Sequence, residues 1–407
     1  MATPAFDPSV LTRRGVLAAA ASTLLLAACG QPGQRPDDGP ASDAPDDHEL
    51  VVGASLELTG RGAALGVLQQ RALEITADTL NVTGFPVGKL RRTVRLEIRD
   101  NGGNPAQAAQ QATDLVQRTQ AHALIGGTLA ETSMAVIDVA EELRTPLLSL
   151  AAGDGIALPL AERTFVFKLT PDAAEVARRL ARLLGTLEIR RVALLAADGL
   201  HGDSGVRAVR AALPRADVQL ARTVRLPAGG QDFGAAAARA AAGKPDGVIV
   251  WGTAPDSGAA ARELRRAGYR GPLFFDAGAV ADDTLARPNA AAVEGAYVVH
   301  PACLSSSPLT AANSAEVARK DFTYRYLRRH GSYTGFAPYA SDALQLLVSA
   351  ARMATNVDRG RLRAFLQAQV VEGMAGAYAF TPTRHGGMEP DSLGIYQVHQ
   401  GVWERYA

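Results

Sequence analysis

Few groupings in this chain have the residue types and spacing that chemistry requires. Gly202-Asp203-Ser204-Gly205 spells a serine-nucleophile loop, but that chemistry needs a histidine and an acid converging on the hydroxyl. Here the tetrapeptide joins a strand-like run to a helix-like one, and Asp203 or Ser204 acting as a helix cap accounts for it. Gly60, Gly62 and Gly66 fall between a strand and a helix. Their last interval is one residue too long for a dinucleotide loop and no acidic partner is clearly placed, which leaves a turn with close backbone approach to a ligand. His300 and Cys303 could both reach a metal, but a site needs three or four ligands and no others cluster nearby. His201 lies in the loop ADGLHGDSG, between a strand-like run and a helix-like one. None of these groupings makes a complete catalytic, metal or dinucleotide site.

The background composition agrees. A chain of 407 residues allows two or three domains, and 47% hydrophobic with 20% charged residues is ordinary for a globular protein. A net charge of +1 gives no basic excess for nucleic acid. The two cysteines, Cys29 and Cys303, are better read separately than as a pair. Cys303 is expected to be a small buried apolar residue.

Residues 13–29, RRGVLAAAASTLLLAAC, have the charged, apolar and small-residue layout of a secretory signal. The uncharged run 15–28 is shorter than the ~20 residues a membrane span needs. The Pro-, Gly- and Asp-rich stretch 30–47 lacks periodicity and predicts a flexible tether. Leu26-Ala27-Ala28-Cys29 resembles the lipobox of bacterial lipoproteins. That resemblance implies a signal peptide over 1–29, cleavage before Cys29 and a lipid on its sulfur. Thr12-Arg13-Arg14-Gly15-Val16-Leu17 also resembles a twin-arginine signal; paired arginines serve general secretion too, so the export route stays open.

From Glu49 onward, apolar runs alternate with amphipathic segments. Strands are expected at 49–58, 93–100, 122–127, 145–150, 190–197, 245–252, 271–277 and 294–301, with helices at 66–81, 105–119, 131–143, 203–213 and 256–267. Pro105 opens the second helix at a favourable position. Strand–helix alternation implies right-handed crossovers and parallel sheets covered on both faces. There are too many strands for one sheet and the pattern restarts near 165–168, which predicts two doubly wound α/β lobes. In such sheets ligands bind at the carboxyl ends of the strands.

LELTGRGAALG (56–66), RDNGGNPAQAAQQATDLV (99–116), LIGGTLAETSMAV (124–136), RRVALLAADGLHGDSG (190–205), PDGVIVWGT (245–253), YASDALQLL (339–347) and GAYAFTP (376–382) carry a resemblance. By their order and spacing the mature chain resembles the type I periplasmic binding proteins, in particular the branched-chain amino-acid binding family of ABC transporters. The resemblance implies two lobes joined by a three-strand hinge that close on a solute. Lobe one would take 48–165 and 300–376, lobe two 168–298 and 378–407. It further implies a monomeric, extracytoplasmic substrate-binding lipoprotein, anchored through Cys29, that delivers its ligand to a membrane permease. A lipid-anchored sensor reporting to a receptor or kinase is the alternative.

Ligand contacts carried over from the family fall at Leu65, Ala130, Ala151, Gly153, His201, Thr253 and Ala277. Thr132 and Ser133 are the nearest hydroxyls to Ala130, Asp154 follows Gly153, and Asp276 stands beside Ala277 where amino-acid binders place an acid. Thr128 and Glu131 have capping-box spacing, so a helix is expected to start there with its amide hydrogens facing the cleft, favouring an anionic group. The side chains that hold an amino acid are largely missing, so the expected solute is a carboxylate, an amide or a neutral molecule.

Overall fold

The computed structural model describes residues 48–227, 233–304, 314–368 and 370–406. The expected signal peptide 1–29 with Cys29, and the tether 30–47, lie outside the described residues. The first lobe opens with β1 (Glu49–Leu56), α1 (Ala63–Asn81), β2 (Phe85–Val87) and β3 (Leu90–Asp100). It continues through α2 (Pro105–Gln117), β4 (Ala123–Gly126), α3 (Ala130–Glu142), β5 (Leu147–Ser149) and β6 (Val166–Lys168). These strands form one sheet in the order β2-β3-β1-β4-β5-β6, parallel except for the β2–β3 hairpin. Seven of the eight β1 residues are buried, as expected of a strand covered on both faces. α2 starts where Pro105 predicts, and the Asn104 side chain accepts the Gln107 amide at 3.2 Å.

The second lobe repeats the rhythm: α4 (Ala173–Thr186), β7 (Arg191–Ala197), α5 (Leu200–Ala212), β8 (Gln219–Leu226), α6 (Phe233–Ala241) and β9 (Gly247–Trp251). Next come α7 (Asp256–Arg266), β10 (Leu273–Phe275), the short α8 (Asp282–Leu285) and α9 (Ala290–Val293), and β11 (Tyr297–Pro301). The chain then packs α10 (Ser314–His330), α11 (Pro338–Ala354) and α12 (Arg359–Leu366) with the first lobe, forms the small hairpin β12 (Val370–Glu372) and β13 (Ala377–Ala379), and ends in β14 (Leu393–His399) and β15 (Val402–Arg405). The second sheet runs β15-β14-β11-β10-β9-β7-β8. The alternation predicted parallel strands; β14 and β15 depart from it by running antiparallel. Gln400 and Gly401, at φ 51° and 78°, make the tight turn between them.

One hydrophobic core runs through both lobes beneath α1, α4, α5 and α11. Two smaller cores lie under α2–α3 and under α6–α7. Where the chain leaves the first sheet, Lys168 is fully buried and its Nζ donates to Thr170 O (2.9 Å), Pro171 O (2.9 Å) and Asp172 Oδ1 (2.8 Å). The ammonium holds the Asp172 carboxyl below its usual range. The Lys168 amide donates to His385 O at 2.8 Å and its carbonyl accepts from the Gly387 amide at 3.1 Å, so two crossings between the lobes are stitched together here.

Candidate functional site

The carboxyl ends of the strands meet around a small cavity. The first lobe contributes Ala152 and Gly153 after β5, and Phe336 and Tyr339 around the start of α11. Thr170 and Pro171 come from the crossing after β6. The second lobe contributes Val176 of α4, His201 in the first turn of α5, Trp251 at the end of β9, and Asp276, Ala277 and Gly278 after β10. Both halves therefore share the walls.

The best-ordered feature is a buried carboxylate. Asp276, 2% exposed, accepts the Gly252 amide at 2.8 Å, the Gly278 amide at 3.0 Å and His201 Nε2 at 3.0 Å. A carboxylate only accepts, so this bond places a hydrogen on Nε2. His201 sits tilted beside Trp251, ring centroids 6.0 Å apart. Trp251 in turn lies against Gly205, where an added Cβ would stand 2.4 Å from the indole; only glycine lets the ring settle there.

Three wall residues carry buried polar atoms without a partner among the described residues: His201 Nδ1, Trp251 Nε1 and Tyr339 Oη. A buried donor or acceptor left unpaired costs about 1–3 kcal/mol, so three in one cavity point to a molecule that pairs them. Burial raises the Tyr339 phenol well above its ordinary value, so it stays a hydroxyl. Behind it His300 is fully buried, its ring 6.0 Å from Tyr339, and burial brings its pKa down to about 4. Cys303 is buried and donates to Gly335 O at 3.2 Å, and burial raises its thiol pKa. His300 and Cys303 thus face packing, and no group of three metal-ligating side chains occurs among the described residues.

Of the residues anticipated from sequence, Gly153, His201, Asp276 and Ala277 line this cavity. The others are placed elsewhere. Leu65, expected over the ligand, is 1% exposed within the core. Ala130 stands one layer behind, its methyl 3.7 Å from where a Cβ on Gly153 would be. Thr132 donates to Glu57 and to Leu129 O, and Ser133 pairs with Ser149 at 2.6 Å, so both hydroxyls are taken. Ala151 is fully buried and its carbonyl accepts from Thr170 Oγ1 at 2.7 Å. Thr253 is not in the wall; its carbonyl accepts the Ser257 amide at 3.1 Å in the turn that starts α7.

Asp154 fastens the halves instead. Its amide donates to Ser204 Oγ at 3.2 Å and its carboxylate accepts the Ala173 amide at 3.0 Å. Ser332 donates to Asp282 at 2.7 Å, a second contact between the lobes. Ser204 and Asp203 do not cap α5, which begins earlier, at Leu200; Asp203 pairs with Arg225.

The expected capping box is also absent. The Thr128 hydroxyl goes to Gln69 Oε1 at 2.7 Å, and α3 has no side-chain cap from Leu129. Glu57, fully buried, takes the helix terminus: it accepts the Thr128 amide at 2.8 Å, the Thr132 hydroxyl and Asn101 Nδ2 at 3.4 Å. The protein's own carboxylate thus sits beside the terminus expected to face an anionic ligand, bonded to the amide before the helix and to a hydroxyl of its first turn. Likewise Gly66 serves a close approach within the fold, since its Cβ would lie 2.0 Å from Glu57 O. Tyr339, Phe336 and Glu57 were not singled out from sequence; each sits at an element end where local pattern does not reveal what it faces.

Two α/β lobes around a shared cavity have the architecture of a two-lobed binding protein. Residues 49–401 match the family model of the periplasmic binding proteins, and the chain belongs to that family. An "amino acid binding protein" of Pseudomonas aeruginosa is 24% identical over 277 residues, 67% of this chain and 68% of that one. A branched-chain amino-acid transporter substrate-binding protein of Streptococcus pneumoniae, solved with isoleucine, superposes with a TM-score of 0.76 at 21% identity, covering 88% of this chain and 98% of that one. A solute-binding protein of an ABC transporter from Rhodopseudomonas palustris, solved with benzoate, gives 0.76 at 20% identity, covering 88% and 96%.

Proposed function

We propose that this chain is the extracytoplasmic, lipid-anchored solute-binding component of an ABC importer, capturing a small amino-acid-like, carboxylate or amide solute in the cleft by hinge closure. The observation that carries this reading is one cavity lined from both lobes, three of whose lining residues each hold a buried polar atom without a partner among the described residues. A solute that pairs atoms of His201 and Trp251 on one side with Tyr339 on the other binds the closed form better than the open one, and that difference drives closure. Moving a population from mostly open to mostly closed takes about 5.5 kcal/mol of such preference. The lobes would be 48–165 with 300–376 and 168–298 with 378–407, hinged at the crossings. Family membership supports the binding role, the relatives' ligands support a small organic solute, and the lipobox-like tetrad ending at Cys29 supports the anchor.

Native mass spectrometry of the purified domain, followed by calorimetry with the molecule that co-purifies, tests the reading. One solute per chain is expected; a protein that retains and binds no small molecule refutes it. Cys29→Ala should release the protein from membranes, and continued membrane retention would refute the anchor.

A further inference from the structure

We infer that the face of the first lobe farthest from the cleft, at the amino ends of its parallel strands, is a resting surface for an anionic membrane. The inference rests on the lipid-anchored reading above and adds which face the anchor brings down. Several element ends meet there. Lys89 and Arg91 belong to the β2–β3 hairpin, Arg352 and Met353 end α11, and Arg361 lies in α12. The hairpin and α11 are in contact: a Cβ on Gly88 would stand 3.0 Å from Thr355 O, and the Arg352 guanidinium lies 5.8 Å over the Phe85 ring. Arg359 of α12 reaches across to Val116 O and Ala121 O, both at 3.1 Å, where the chain turns into β4.

Lys89, Arg91, Arg352 and Arg361 are exposed. Among them stand Val82, Met353 and Leu90, at 79%, 50% and 39% exposure. Cations mixed with bare apolar side chains are what a membrane interface accepts. The neighbouring acids are engaged: Glu49 pairs with Arg95 at 2.8 Å, and the Asp358 carboxylate accepts the Arg361 amide at 3.0 Å. His122, beneath this face, has its pKa brought down to about 4, by burial first and then by the charges of Arg359, Arg92 and Arg95.

The anchor chain enters on the same side. The Thr93 amide donates to His48 O and Arg92 Nη1 to Glu49 O, both at 2.9 Å, and only residues 30–47 separate this point from Cys29. Asp37, Asp38, Asp43, Asp46 and Asp47 of that stretch complement the charge of the face but offer nothing to Val82, Leu90 and Met353; a bilayer interface serves both. Each Lys or Arg near an anionic leaflet strengthens binding about fivefold, so four give a contact of about millimolar strength. That is too weak to hold the protein once Cys29→Ala removes its lipid. With the lipid in place, the effective concentration across a short linker is itself about millimolar, enough to orient the domain. In that pose the cleft-lining ends of the first lobe's parallel strands point away from the bilayer.

Vesicle co-sedimentation of the mature chain bearing Cys29→Ala, which carries no lipid, tests this apart from the anchor. Vesicles of phosphatidylcholine alone are compared with vesicles holding equal phosphatidylglycerol, at about 20 mM and about 300 mM salt. Binding is expected to the anionic vesicles at low salt and is lost at high salt. Lys89→Gln with Arg361→Gln, checked for folding by urea denaturation, should weaken it at least tenfold. The same loss of charge at Arg210 and Arg215, exposed on the second lobe, should leave it within about twofold. Equal binding to both kinds of vesicle, or equal weakening by both pairs of substitutions, overturns the inference. So does no binding to anionic vesicles, the result expected if residues 30–47 cover the face themselves. A dimer in light scattering that Lys89→Gln with Arg361→Gln breaks assigns the face to a second copy and overturns it too. None of these results bears on the anchor, which release of Cys29→Ala from cell membranes decides.

Discussion

Replacing Tyr339 by Phe should move stability and binding in opposite directions. The side chain is fully buried and its hydroxyl has no partner among the described residues. In the solute-free protein that hydroxyl is therefore a desolvated group with nothing to offset it, a situation that costs about 1–3 kcal/mol. Phenylalanine keeps the ring, and with it the edge contact to Phe336 at 5.2 Å between centroids. The solute-free variant should accordingly be more stable, by about 1 kcal/mol. In the complex the same hydroxyl makes a bond worth about 0.5–1.5 kcal/mol, so affinity should fall roughly 2- to 12-fold. Urea denaturation of the stripped protein gives the first quantity and calorimetry with the co-purified solute gives the second. A stripped variant that is destabilised by more than about 1 kcal/mol, with binding unchanged, would show that the hydroxyl serves the fold and would refute the assignment of Tyr339 to the site.

Other outcomes follow from the same structure. His201→Ala should weaken solute binding at least tenfold, about 1.4 kcal/mol, and unchanged affinity in calorimetry removes His201 from the site. Gly205→Ala puts a methyl 2.4 Å from the Trp251 ring; it should cost about 1–3 kcal/mol and shift tryptophan emission, and an unaltered spectrum would show that the indole does not rest there. Asp342, fully buried, accepts the Met374 and Ala375 amides, yet burial raises its pKa to about 6. A carboxyl raised in the folded state contributes stability that is present below its unfolded pKa near 4 and lost as pH climbs through 6, roughly 3 kcal/mol in all. His300, lowered to about 4, works the other way: its contribution is present above pH 6.5 and lost as pH falls through 4. In urea titrations from pH 4 to 7, Asp342→Asn should therefore lose stability more steeply on acidification than the parent, and His300→Asn less steeply. The reverse order would contradict both assignments.

Much of this architecture is written locally. The strands through Val51, Ile125, Leu194 and Val250 are short apolar runs bounded by turn residues, and Pro105 and Asn104 announce α2 by the groups they do and do not offer. The terminal hairpin was harder to see, because β14 pairs with β11 almost a hundred residues away and nothing in the intervening chain records that register. The site divides along the same line. His201 and Asp276 follow strand ends, where loops of an α/β lobe gather, and both reach the cavity. Tyr339 arrives from a helix of the other lobe, brought in by packing of α11 on α1, a fact of tertiary structure alone. Glu57 looks like one more polar residue at the end of a strand. That it bonds the Thr132 hydroxyl depends on α3, whose first residue is more than seventy positions later.

The acceptors of Lys168 all lie within the next four residues of its own chain. Asp172 also begins α4, as its N-cap, and the Thr170 hydroxyl reaches back to Ala151 O, so the short turn that holds the ammonium is tied to both sheets' surroundings at once. A buried cation thus reels in the passage from β6 to α4 and stiffens it, because a single ammonium gathers two carbonyls and a carboxylate that lie two to four residues ahead.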